Sequence, residues 1–229
     1  MPTIIILPAI IIMIAGVHIA LPYAIKSVLR RKFLDQSSKS PHVFLTFDDG
    51  PNPLSTPLIL DLLKQHDAKA TFFLLGKFAE KHPDLVNRIR DQGHAIGEHG
   101  YAHVHAWKSD PFTTALDLQR GRDTLGQQVT QLFRPPFGKF NLATIGYIIF
   151  AKKQVAFWDV DPKDYQASSS QVVAAHVIQR LMPGSVILLH DGSYDSDRTY
   201  SHTVEALRII MDSDRARGLS FATLDSLIS

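Results

Sequence analysis

The sequence HVFLTFDDGP at residues 42–51 decides the fold of this chain. Its run from Val43 to Phe47 is apolar and β-branched, which is typical of a strand buried on both faces of a sheet. The run ends in two adjacent carboxylates followed by Gly-Pro, a turn signal. Because side chains alternate along a strand, Asp48 and Asp49 point in different directions at its end. An Asx-turn or a helix cap would need only one Asp, and burying two acids is costly. We therefore interpret the pair as functional, with one carboxylate for a metal ion and one for a proton.

Apolar runs alternate with helical patterns along the rest of the chain. The predicted strands are 43–47, 70–75, 94–98, 132–134, 155–159, 186–189 and 219–224. Helices are predicted between successive strands, among them 141–152, 170–181 and 203–217. This alternation predicts an α/β protein with parallel strands, and about seven such units favour a barrel.

Composition describes an ordinary globular protein. The chain has 229 residues, 45% of them hydrophobic and 20% charged, which is enough for one large domain or two small ones. Its formal charge is +2 and it has no cysteine. Nucleic acid is therefore not expected as a partner, and thiolate chemistry is excluded.

The N-terminus is predicted to be a membrane anchor. No charged residue occurs from Ile4 to Ile25, and about 20 apolar residues are needed to cross a bilayer as a helix. A cleaved signal peptide would have Lys or Arg ahead of this segment, and none is present. We predict a transmembrane anchor over 1–25, a basic and Ser-rich tether over 26–41, and a catalytic domain over 42–229.

Polar groups follow the predicted strands. They are Asp48 and Asp49 after the first strand, His99 and His103 after the third, Arg134 at the end of the fourth, Asp161 after the fifth and His190 after the sixth. In parallel α/β folds the C-terminal ends of the strands share one face, where sites are built. These side chains are therefore expected to converge.

The sequence His99-Gly-Tyr-Ala-His103 indicates a metal site. Its i, i+4 spacing places two imidazoles on one side of a helical turn. Two histidines and one carboxylate leave an open position for water on Zn²⁺ or a similar ion, as in catalytic sites.

Five ordered motifs resemble the polysaccharide deacetylase (NodB-homology) family of metal-dependent carbohydrate esterases. They are TFDDGP at 46–51, HxxxH at 99–103, RPPFG at 134–138, DPKDY at 161–165 and LLH at 188–190. The resemblance spans roughly residues 41–227. It implies a distorted, incomplete (β/α) barrel that hydrolyses N- or O-acetyl groups on sugars.

The resemblance also implies the metal ligands and the base. Asp49, His99 and His103 would bind one divalent ion. Zn²⁺ is the expected metal, and Co²⁺ and Ni²⁺ are the alternatives. Asp48 would be the general base for the water, and Arg134 would hold Asp48 ionised and oriented.

The remaining roles concern the leaving group and the acetyl group. By the same resemblance, His190 would be the general acid, with Asp161 as its charge partner. The Phe137 N–H would bind the oxyanion and Leu188 would line the pocket for the acetyl methyl. Tyr165 stands where the family usually has Trp, so the shape of that pocket differs.

The expected substrate is N-acetylhexosamine in a polysaccharide or glycoconjugate. A lipid-linked sugar, an O-acetyl ester and a catalytically silent carbohydrate-binding barrel are the alternatives. Four cations at residues 26–32 follow the apolar segment and none precedes it, which favours a catalytic domain on the cytoplasmic face of a bacterial inner membrane. Most members of the resembled family act on wall or matrix polysaccharide, which favours the opposite face.

Overall fold

A parallel β-sheet surrounded by helices forms the framework of the protein. The computed structural model describes residues 16–167, 169–195 and 201–228. Within these residues the strands are β1 (His42–Asp48), β2 (Ala70–Leu74), β3 (Ala95–Glu98), β4 (Leu132–Phe133), β5 (Gln154–Val155), β6 (Val186–His190) and β7 (Ser220–Phe221). The α-helices are α1 (Leu21–Ser37), α2 (Thr56–Gln65), α3 (Gly76–Ala79), α4 (Pro83–Asp91), α5 (Pro111–Leu125), α6 (Leu142–Phe150), α7 (Ser170–Arg180) and α8 (Ser201–Asp212).

Strand β1 lies at the centre of the sheet, as its apolar sequence predicts. The strand order is β5-β4-β3-β2-β1-β6, and β7 pairs with the start of β1. Each of these pairings is parallel, and Leu45 of β1 stands opposite Ala70 of β2 and Ile187 of β6. The parallel α/β prediction is therefore confirmed, and all strand C-termini point to one face.

The barrel closes only partly. Strand β5 ends at Val155, earlier than predicted, and the chain then crosses towards β6. Val160 forms an isolated parallel bridge with Ile187, and its carbonyl accepts a hydrogen bond from the Leu188 N–H at 2.9 Å. This crossing takes the place of a full fifth strand.

The two faces of β1 pack into two separate cores. Val43, Leu45 and Phe47 belong to one apolar cluster, and Phe44 belongs to the other. All four side chains are fully buried. This period-two division is what a strand covered on both faces requires.

The predicted tether is wrong, because residues 21–37 form helix α1. This helix continues across the predicted boundary between residues 25 and 26. Phe33 of α1 is buried, and its ring packs edge-on against Phe157 with centroids 5.9 Å apart. Packing against the domain gives this basic segment a fixed structure that its composition does not reveal.

The predicted membrane anchor falls mainly on residues 1–15, which lie outside the described residues. Within residues 16–167, 169–195 and 201–228, no helix has the length and apolar character needed to span a membrane.

Candidate active site

The C-terminal ends of the strands open into a cavity of about 470 Å³. Nine of the ten predicted site residues line it: Asp48, Asp49, His99, His103, Phe137, Asp161, Tyr165, Leu188 and His190. The tenth, Arg134, is fully buried and reaches the site through Asp48. The convergence expected from the strand ends is therefore present.

Three of these residues surround one point at the base of the cavity. Asp49 Oδ1 lies 3.4 Å from His99 Nε2 and 3.3 Å from His103 Nε2. One potential ligand atom from each residue lies within 4.8 Å of the others, and all three side chains are buried. Among the described residues Asp49 Oδ1 has no hydrogen-bond partner. A buried, unpartnered carboxylate oxygen between two imidazole nitrogens fits a divalent metal ion.

Hydrogen bonding orients the His99 imidazole. His99 Nδ1 lies 2.6 Å from the carbonyl oxygen of Arg134, which can only accept, so Nδ1 carries a proton and Nε2 is the nitrogen that faces Asp49. Burial by itself would lower the pKa of His99, but Asp48 and Asp49 raise it, so a metal ion bound at Nε2 would displace a proton. Burial lowers the pKa of His103 to about 3, which keeps its imidazole neutral. Burial by itself would raise the pKa of Asp49, but His103 and His99 lower it to about 2.

The two histidines come together on a loop and not on the predicted helical turn. Gly100 and His103 both have left-handed backbones, with φ of 81° and 64°. Asp117 of α5 accepts hydrogen bonds from the backbone N–H groups of Tyr101 at 3.2 Å and Ala102 at 2.7 Å. These bonds hold the loop that carries the ligands. Asp117 follows His103 by 14 positions in an ordinary helical pattern, and the sequence offers no signal for this role.

Asp48, the last residue of β1, meets Arg134, as predicted. The Arg134 guanidinium donates to Asp48 Oδ1 at 2.7 Å and to Thr46 Oγ1 at 2.8 Å, and it lies 4.1 Å from the Phe73 ring centroid. Asp48 Oδ2 lies 3.7 Å from His99 Nε2, on the side of the metal ligands. A fixed carboxylate beside a metal position can accept a proton from water held there.

The predicted pairing of His190 with Asp161 is wrong, because Asp164 occupies that position. Asp164 Oδ1 lies 2.7 Å from the ring nitrogen Nδ1 of His190. Asp164 Oδ2 accepts hydrogen bonds from the backbone N–H of His190 and from the hydroxyl of Thr203. Asp161 instead accepts from the backbone N–H of Lys163 at 2.9 Å. The left-handed turn at Lys163, with φ of 52°, carries the second Asp of the motif towards β6.

The buried Asp164 carboxylate sets the charge of His190. Burial alone would lower the pKa of His190, but Asp164 raises it to about 10. The imidazolium form is therefore the stable one near neutral pH, which suits a general acid.

Aromatic rings form the wall beside the metal ligands. Phe137 has a left-handed backbone with φ of 55°, and its ring centroid lies 4.3 Å from that of His103. Tyr194 stacks on His103 at 4.4 Å, a contact that the sequence did not reveal. On the other side, Tyr165 meets the His190 ring edge-on at 5.1 Å and Leu188 is buried at the cavity wall.

Asp191 is a further buried acid that the sequence analysis missed. Its side chain accepts a hydrogen bond from Thr56 Oγ1, and burial raises its pKa to about 7. A Cβ atom on Gly50 would lie 2.2 Å from Asp191 Oδ2, so the turn after Asp49 requires glycine. Asp191 thus supports the turn next to the metal ligand, and its position directly after His190 was the available signal.

A carboxylate, an imidazolium and three candidate metal ligands line one cavity, an arrangement that suits metal-assisted hydrolysis. Residues 35–154 match the family model described as polysaccharide deacetylase. The chain is 35% identical over 190 residues to a peptidoglycan-N-acetylglucosamine deacetylase of Bacillus cereus, which covers 81% of this chain and 87% of that protein. It is 30% identical over 193 residues to a chitooligosaccharide deacetylase of Azorhizobium caulinodans, with coverage of 80% and 92%.

The fold agrees with these sequence matches. The solved structure of peptidoglycan deacetylase PdaC from Bacillus subtilis superposes with a TM-score of 0.73 at 28% identity, over 83% of this chain and 91% of that one. The chain therefore belongs to the polysaccharide deacetylase family, as its motifs predict.

Proposed function

We propose that this protein removes N-acetyl groups from N-acetylhexosamine in a polysaccharide or glycoconjugate, with the help of a divalent metal ion. The observation that carries the proposal is the position of Asp48 and His190, which both line the cavity that holds the candidate metal ligands. Each has a charged partner fixed by hydrogen bonds at 2.7 Å. Relatives that are named as deacetylases of N-acetylglucosamine polymers support this substrate class.

Asp48 and His190 divide the proton transfers of the reaction. A divalent ion held by Asp49, His99 and His103 would polarise the acetyl carbonyl and acidify a water molecule. Asp48 accepts the proton of the attacking water as the new carbon–oxygen bond forms. His190 donates a proton to the sugar nitrogen as the carbon–nitrogen bond breaks, because an amine anion is a poor leaving group. Acetate and a free amine result.

The cavity wall positions the acetyl group. The Phe137 N–H donates to the carbonyl oxygen as negative charge develops there. Leu188, buried at the cavity wall, contacts the methyl group. Tyr165 lies between His190 and solvent, 45% exposed, where a sugar ring can contact it.

Zn²⁺ is the metal that we propose, with Co²⁺ and Ni²⁺ as substitutes. The two imidazoles and one carboxylate are the ligand set of catalytic zinc sites with one open position.

Acetate release from a panel of substrates tests the proposed function. We expect release from N-acetylated glycans, its loss with a chelator and its return when Zn²⁺ is added back. Release only from O-acetylated xylan would favour the ester alternative. Binding of glycans without release, by the metal-loaded protein, would favour a silent binding barrel.

Asp164→Asn should shift the alkaline limb of the pH–rate profile to lower pH. The acid must be protonated, so the rate falls as pH rises through the pKa of His190. Removing the carboxylate that raises this pKa moves the fall by about one pH unit or more. The measurement is kcat against pH with the metal-loaded protein.

Asp161→Asn is the matched control for this shift. Asp161 also lines the cavity, but it accepts a hydrogen bond from the backbone N–H of Lys163. The alkaline limb of the Asp161→Asn variant should therefore stay close to that of the wild type. If Asp161→Asn moved the limb and Asp164→Asn did not, the role assigned to Asp164 would be wrong.

A lipid-linked acetylated sugar is the second candidate substrate, at the cytoplasmic face of a bacterial inner membrane. The supporting observation is that the predicted anchor ends at Ile25, while Lys26 contacts Gly138 at the rim of the cavity. If residues 1–25 span the membrane, the cavity opens close to the lipid surface. A reporter that is active only after export, fused after Ser229, tests the side of the membrane. Strong reporter activity would place the domain outside and favour wall polysaccharide.

A further inference from the structure

A lysine on helix α1 contacts the loop that carries Phe137. Lys26 Nζ donates a hydrogen bond to the carbonyl oxygen of Gly138 at 2.7 Å, across 112 positions of sequence. The side chain is half-buried, and burial together with the charges of Lys139 and Arg30 lowers the pKa of Lys26. A lysine ammonium is strongly hydrated and normally extends into water, so its placement against a single carbonyl group calls for an explanation.

The loop that Lys26 contacts has an uncommon backbone. Phe137 and Gly138 follow each other with φ of 55° and 59°, both in the left-handed region. A bulky residue keeps that conformation only when its surroundings enforce it. The Gly138 N–H donates to the Pro135 carbonyl at 2.8 Å from within the loop, and Lys26 holds the Gly138 carbonyl from outside it.

Helix α1 contacts the rest of the domain through one of its faces. Lys26, Arg30 and Phe33 recur at the i, i+4, i+7 spacing of a helical face. Arg30 donates to the Trp158 carbonyl at 3.1 Å, and Phe33 packs against Phe157. The helix therefore touches two segments that border the cavity, the loop after β4 and the crossing after β5. These three residues precede residue 35, where the family match begins.

We propose that helix α1 is part of the catalytic unit and that Lys26 is a positioning residue for the loop that carries Phe137. By fixing the Gly138 carbonyl, Lys26 keeps the Phe137 N–H directed at the oxygen that becomes negative in the transition state. The inference rests on the proposed deacetylase function. An interaction made only in the transition state affects kcat and leaves substrate binding nearly unchanged, so the two kinetic constants distinguish this role from a general loss of structure.

Lys26→Met removes the donor and keeps the aliphatic stem. We expect kcat to fall about tenfold because the oxyanion donor is displaced and not deleted, with KM and bound metal nearly unchanged. Lys26→Arg keeps a cationic donor and should recover most of the rate. Lys32→Met is the matched control, because Lys32 lies exposed on the same helix and should leave kcat unaltered.

Hydrogen exchange of the backbone amides of residues 137–140 gives a second measurement that needs neither metal nor substrate. We expect faster exchange in Lys26→Met than in the wild type or in Lys32→Met. Wild-type kcat and exchange in Lys26→Met would overturn the inference, and so would a loss of rate that Lys26→Arg does not restore. A wild-type protein that deacetylates no glycan would instead contradict the proposed function, while the exchange measurement would still test the position of the loop.

Discussion

Replacing Asp49 by alanine is expected to remove both the bound metal and the activity. The purified wild-type protein should hold about one divalent ion per chain, and Asp49 supplies the only carboxylate of the candidate ligand set. Without the ion, water keeps a pKa of about 15.7 and not about 7, so we expect kcat/KM to fall by about 10³-fold or more. Metal content after dialysis and acetate release are the two measurements. His103→Ala should behave in the same way.

His105→Ala is the matched control for the metal. His105 lies on the same loop and lines the same cavity, but it is outside the group of three residues whose ligand atoms converge. It should therefore retain the ion. Full metal content in Asp49→Ala would show that the ligand assignment is incorrect, and chelation of the wild-type protein gives the reference for a correctly folded protein without metal.

Asp48→Asn should keep the metal and lose most of its turnover. The amide keeps the shape of the carboxylate but cannot accept the proton of the attacking water. We expect kcat to fall by about 10²- to 10⁴-fold, the usual contribution of a general base. The substitution also leaves the buried Arg134 without its charged partner, so the melting temperature should fall as well.

Two measurements separate the loss of the base from the loss of stability in Asp48→Asn. Metal content should equal that of the wild type, and kcat should be recorded well below the melting temperature of the variant. Asp161→Asn, which changes another acid of the cavity, should remain within a few-fold of the wild-type rate. An Asp48→Asn protein with wild-type turnover would show that another group is the base.

The sequence determined the framework on which these experiments rest. Local pattern was sufficient for strand β1, because a run of apolar residues that must be buried on both faces can occupy only the middle of a covered sheet. The pattern also placed Asp48 and Asp49 at the end of that strand. Asp49 lies just beyond β1, however, and its left-handed backbone, with φ of 71°, directs it to the two histidines while Asp48 meets Arg134. The five motifs identified the family, and the match over residues 35–154 confirms it.

The tertiary structure decided what depended on backbone direction and on contacts distant in sequence. The motif DPKDY contains two Asp residues, and only the left-handed turn at Lys163 shows that Asp164 and not Asp161 reaches His190. A basic, Ser-rich segment looked like a tether, yet its helix is held by groups more than 100 positions away. Spacing along a chain fixes neighbours within a strand or a helix. Which of two similar side chains reaches the site depends on the direction of the turn that carries them. Whether a segment packs as a helix depends on surfaces that distant parts of the chain provide.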